Sequence, residues 1–197
     1  MDYYNSKARL ARIVPQMTIF ELIDLDPALL SIFERLDIKL PFGDISLAQM
    51  AEREHFSVNL FVELCRMHID EEYTPSREAL TREMIPQLLL YLRASHAYYI
   101  NYMLPHTSEH LDAILEGCDT LSRDMFKRFY DDYVRYVEAH LDEEERLIFS
   151  VIETSQTPNR DLQMLEVPHS DIDDRTHDIA SLIVKYLPEQ ASTVLRC

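Results

Sequence analysis

Glycine is almost missing from this chain, with two in 197 residues, and tryptophan is absent. Hairpin turns depend on residues that accept positive φ, so this shortage argues against a hairpin-rich β architecture. It also leaves no Gly-rich loop to cradle a phosphate. Cysteine is scarce too. Cys65, Cys118 and Cys197 are odd in number and scattered, without zinc or redox spacing. No apolar run is long enough to cross a bilayer, and no signal peptide opens the sequence. The expected setting is therefore a reducing cytoplasm. Positive charge is in deficit: 19 Lys and Arg stand against 35 Asp and Glu, a net charge of −16. A segment this acidic is not expected to grip nucleic acid or an anionic membrane.

What remains is helical material. Leu, Glu, Asp, Arg and Tyr dominate, and 47% hydrophobic residues suffice for a core. An all-α fold is expected. Residues 1–16 are polar and basic and read as an arm or a short cap. Residues 17–72 read as a small four-helix unit. Thr18 opens its first helix, with Glu21 completing a capping box. Asp26-Pro27 opens the second, Ser46 the third and Ser57 the fourth. His55 and His68 fit surface or boundary positions. Residues 73–80, with Thr74-Pro75-Ser76, form the expected linker. Residues 81–197 then carry longer helices, from about Thr81 to Glu116, from about Ser122 to Glu153, and a third through His169 that ends at Pro188. Pro105 should kink the first. Its inward row is Leu89, Leu92, His96, Tyr99, Met103 and then His106 or His110.

The second long helix carries the chemistry. Its seam reads 126, 129, 133, 137, 140, 144, 147, 151, so His140 and Glu144 share one face and fall on the buried stripe. Glu143 and Glu145 read as solvated. An inward imidazole and carboxylate need a partner, because unpaired buried polar groups are costly. Antiparallel neighbours meet at equal distances from their shared turn. By that rule His96 faces His140, and His169 on the third helix faces Glu144. A metal site of His96, His140, Glu144 and His169 follows. His177 is the alternative ligand on the third helix, and Tyr99 a hydroxyl that would hydrogen-bond a carboxylate ligand. His106 and His110 lie too far along their helix to join and read as end-of-bundle residues.

His96, His140-x-x-x-Glu144 and His169-x-x-Ile172 resemble the hemerythrin HHE cation-binding domain over residues 81–197, as does the tail Ile183–Pro188. The N-terminal unit is similar to the small helical domain of RIC/ScdA-type iron–sulfur cluster repair proteins, at Pro27–Leu36, Leu40-Pro41-Phe42-Gly43 and Ser46–Glu54. Those proteins carry adjacent cysteines where this chain has Leu40-Pro41-Phe42, so that cysteine chemistry is not expected here. The resemblance implies an up-down bundle and an iron cofactor. The centre would be di-iron if a fourth helix with a further His-x-x-x-Glu is supplied, and otherwise one metal or none. It implies an oxygen, nitric oxide or redox-responsive sensor or an iron-centre repair factor, not an enzyme. The chain stops where that fourth helix would begin, so an incomplete bundle is expected to pair as a homodimer through its exposed groove. The alternative is a metal-free helical interaction or regulatory module, the sensory part of a longer transcriptional regulator. A hydrolase using Glu144 and a metal has no nucleophile or oxyanion arrangement to support it.

Overall fold

A computed structural model describes residues 3–39, 41–76, 79, 81–154, 176–178, 181 and 185. The fold is all-α. Among the described residues the sole β feature is an isolated bridge between Thr18 and Ser46. No described helix is long and apolar enough to cross a membrane. The chain forms two compact units, residues 1–95 and 96–197.

In the first unit, helix α1 spans Tyr3–Arg12, where the sequence suggested an arm or a short cap. Leu10 and Ile13 bury apolar surface there. Arg9 donates to the Leu25 carbonyl and the Asp26 carboxylate, each at 2.9 Å. Helix α2 (Ile19–Leu25) starts at the Thr18–Glu21 capping box. A 3₁₀ turn, Pro27–Leu29, has the Asp26 side chain accepting from the Ala28 amide and runs into α3 (Leu30–Arg35). Helix α4 (Leu47–Arg53) starts at a second capping box, Ser46 with Gln49, and α5 (Val58–Ile69) at Ser57. These caps satisfy amide donors that a helix start otherwise leaves without partners. The bridge couples the two capping boxes: Ile19 N–H reaches Ile45 O and Leu47 N–H reaches Met17 O.

One core joins these helices. Ile19, Leu22, Leu29, Phe33, Leu47, Met50, Leu60 and Phe61 are packed in it, with Phe33 edge-on to Phe61 at 5.1 Å. Helix α6 (Ile85–Tyr98) contributes Tyr91, whose hydroxyl accepts from Arg35 at 2.9 Å. Gln87 receives the Ser57 amide and donates to the His55 carbonyl. The division between units therefore falls at Ser95/His96, inside a helix and not at residues 73–80.

The second unit begins at the end of α6. A π-helical turn, Tyr99–Met103, follows, then α7 (Leu104–Leu115). Proline is its local cause. Pro105 has no N–H to give the carbonyl four residues back, and its ring crowds that carbonyl. Widening the preceding turn absorbs the conflict, and Leu104 N–H bonds to Tyr99 O, five residues back. The expected kink at Pro105 takes this form. Helix α8 (Thr120–Glu144) starts at Asp119, whose side chain accepts from Ser122 N–H. It passes through a second π turn, Glu145–Phe149, into α9 (Ser150–Thr154). Tyr130 ties α8 to α7, its buried hydroxyl donating to Leu104 O at 2.6 Å.

Each π turn inserts one residue into the helical repeat and so moves the buried stripe on by one position. After the first, Leu104, Leu111 and Leu115 are buried, while Tyr99 is 45% exposed and His106 and His110 face solvent. After the second, Phe149 is buried and Leu147 is 45% exposed. The inward rows read at a constant helical period hold up to each π turn and slip beyond it. Phe129, also on the expected seam, is displaced from it without a π turn: Tyr130 takes the buried place.

Candidate metal centre

Among the described residues, two histidines of the second unit are buried. His96 ends α6 and His140 lies in the last two turns of α8, with relative exposures of 7% and 6%. Glu144 lies between them. Its Oε2 is 3.6 Å from His96 Nε2 and 3.9 Å from His140 Nε2, and its side chain is 16% exposed. The structure thus brings together three of the residues expected at the site.

Glu145 joins them, and the sequence had assigned it to solvent. Its Oε1 is 2.9 Å from His96 Nδ1. In a regular helix Glu144 and Glu145 point about 100° apart. Glu145 is also the first residue of the second π turn, where the helix widens. No residue type in the local sequence marks that turn, so Glu145 had no signal to find it by.

The two nitrogens of His96 have separate roles. A carboxylate only accepts, so Nδ1–H donates to Glu145, while Nε2 faces Glu144 at 3.6 Å. A carboxylate on one imidazole nitrogen, with the other free, is the arrangement that orients metal-ligating histidines. Phe149 stacks on the His96 ring at 5.4 Å and 23° and restricts its rotation. The two imidazoles are shielded from water, while the Glu145 side chain is 35% exposed.

The remaining expected residues fall elsewhere. His169 lies outside the described residues. His177 sits in a described helical stretch, 176–178, and is exposed. Its neighbour Thr176 donates to Tyr133 Oη at 3.3 Å. Tyr133 is seven residues before His140, roughly 10 Å along α8, so His177 is not drawn into the cluster. Tyr99 is turned outward by the π insertion and packs edge-on against Tyr98 at 6.3 Å.

The donor chemistry fits a first-row ion, since imidazole and carboxylate together suit Fe, Mn or Zn. The spacing is wider than a closed site. Donors about 2.0–2.2 Å from one ion lie roughly 2.9–3.5 Å from each other, against 3.6 and 3.9 Å here. Among the described residues no group of three or more His, Cys, Asp or Glu side chains is gathered to hold a metal ion. No protein-family model, no curated protein and no solved structure matches the chain.

Proposed function

We propose that this chain is a hemerythrin-like, non-haem iron-binding helical protein acting as an oxygen, nitric oxide or redox-responsive sensor or as an iron-centre repair factor. The observation that carries the reading is the division of His96: one nitrogen held by Glu145, the other presented to Glu144 beside a second buried histidine. In this reading His96 and His140 are neutral imidazole ligands, Glu144 is a carboxylate ligand and His169 is the fourth. Glu145 orients His96. Iron would supply reversible binding of a diatomic gas or one-electron chemistry, and the chain's own side chains would hold it and keep water out. A second copy would cover the exposed row Leu121, Met125 and Phe129 on α8, giving a homodimer in the cytoplasm.

The second reading is a metal-free helical interaction module. The wide donor spacing favours it.

Metal content decides between them. Protein purified without an affinity metal column would be analysed by plasma mass spectrometry before and after anaerobic ferrous loading, beside His140→Ala. One or two irons per chain, lost in the variant, support the iron reading. No iron after loading, with the fold intact by circular dichroism, leaves the interaction module. Size-exclusion chromatography with light scattering tests the dimer, and a monomer at tens of micromolar would remove it.

A further inference from the structure

A second pair of imidazoles stands on the solvent face of α7. His106 and His110 are both exposed, and their Nε2 atoms are 3.1 Å apart. Their rings meet at 77° with centroids 4.4 Å apart. A hydrogen bond between two neutral imidazoles in water gains little over bonds to water itself. The same separation suits a shared cation. With metal–nitrogen bonds of about 2.0–2.1 Å, donors 3.1 Å apart subtend roughly 100° at the ion. That lies between the right angle of octahedral or square-planar coordination and the tetrahedral angle.

The pair is braced. Tyr102 stacks on His106 at 5.6 Å and 17°, and Tyr98 stacks on Tyr102 at 5.2 Å and 30°. Glu109 Oε2 lies 3.9 Å from His106 Nδ1, so a carboxylate sits beside the nitrogen that faces away from His110. The π turn at Tyr99–Met103 matters here too. By advancing the helical phase one residue it puts Leu104 and Leu111 in the core and leaves both imidazoles in water.

We propose that His106 and His110 form a two-imidazole site for a borderline divalent transition ion, Cu²⁺, Ni²⁺ or Zn²⁺, with water or a small ligand in the remaining positions. No oxygen cage surrounds the pair, so Mg²⁺ and Ca²⁺ are not its ions. Affinity should follow the order of the first-row series, with Cu²⁺ tightest. The site is about ten residues along the helix from His96, roughly 15 Å. It does not depend on whether the buried cluster binds iron.

The test titrates the full chain with Cu²⁺ alone, at physiological salt and with millimolar Mg²⁺ present to occupy the acidic surface. His106→Gln and His110→Gln change exposed side chains, so folding should survive, and circular dichroism checks it. The expected result is one equivalent of Cu²⁺ bound at least tenfold tighter than in either variant. Nitrogen hyperfine structure from two imidazoles should appear in the electron paramagnetic resonance spectrum and be lost in both variants. Equal affinity and the same spectrum in wild type and variants would overturn the site. So would displacement of the ion by Mg²⁺.

Discussion

The first unit buries a glutamate and the second partly buries one, and they treat it differently. Glu63, 5% exposed, is matched on both oxygens: Arg66 donates to one at 2.8 Å and Tyr73 to the other at 2.7 Å. Arg66 is itself anchored on the Ile13 carbonyl. The buried carboxylate therefore has its own cation, and the group ties α1, α5 and Tyr73 together. Glu144 instead faces two imidazoles at 3.6 and 3.9 Å. The apolar interiors differ in the same sense. Among the described residues, the largest fully buried side chains other than Leu115 and Phe149 lie in the first unit. The first unit matches its buried carboxylate with a guanidinium and a hydroxyl, whereas the second sets its carboxylates beside imidazoles.

Replacing the two glutamates should separate the cases most strongly. Glu63→Ala leaves the Arg66 charge and the Tyr73 hydroxyl without their acceptor. Removing one partner of a buried pair costs about 3–5 kcal/mol; with Arg66 24% exposed, about 3 kcal/mol is the expected loss. Glu144→Ala in metal-free protein should cost under about 1 kcal/mol, because its contacts to the imidazoles, at 3.6 and 3.9 Å, are longer than hydrogen bonds. Urea unfolding followed by circular dichroism measures both. Equal losses would erase the distinction.

Metal should reverse the order. An ion that binds only the folded state adds about 2.7 kcal/mol at a hundredfold excess over its dissociation constant. Ferrous iron or Mn²⁺ should therefore raise the melting temperature of the wild type and of His106→Gln, and leave His140→Ala unmoved. Native-state hydrogen exchange would locate the gain in α8 and the end of α6. A gain spread evenly over both units would point to surface binding instead.

The same contrast explains which features were legible in sequence. The capping boxes at Thr18 and Ser46, the Asp26-Pro27 start and the Ser57 cap depend on side chains within three residues of the backbone they bond. Local chemistry of that kind can be read directly. The meeting of His96 with the His140–Glu144 face was also readable from residue counts on either side of one short turn, because the single π insertion between them shifts the level of His96 little. Beyond the π turns the readings slipped. Tyr99, Met103 and Leu147 were expected inward, and Leu104 and Phe149 took their place. Pro105 gave warning of one insertion, but nothing local announced the other, and Glu145 was missed with it. A glycine just past a helix end commonly closes it in a left-handed cap, and Gly117 lies just past α7. Arg123 does this work, donating to the Glu116 and Leu115 carbonyls.

A smaller effect should be confined to the first unit and to mildly acidic pH. The pKa of His68 is lowered below its ordinary 6.5, first by burial of the ring and then by the Arg35 guanidinium. Between the lowered value and 6.5 the unfolded chain binds more protons than the native one, so stability rises with pH in that window. It is fully present above about 6.5 and declines as pH falls toward the native pKa. His68→Gln should flatten the urea midpoint over this range. A slope that persists in the variant would assign it to another group.

The smallest effect concerns how the first unit ends its helices without glycine. Asp37 and His55 both adopt φ 55°. Each completes the same turn: Ile38 N–H returns to Phe33 O at 2.9 Å, and Phe56 N–H to Ala51 O at 2.8 Å. That turn favours glycine because a Cβ is strained at positive φ. At His55 the exposed side chain has no role in the turn, and its carbonyl, which Gln87 holds, survives substitution. His55→Gly should therefore stabilise the first unit by about 0.5–1 kcal/mol, the relief of left-handed strain less the added freedom of the unfolded chain. Hydrogen exchange in α4 and α5 reports it, and exchange in α8 should not change. If His55→Gly instead destabilised α4, the imidazole would be supporting the turn, and the glycine-poor composition would be a stabilising feature of this unit.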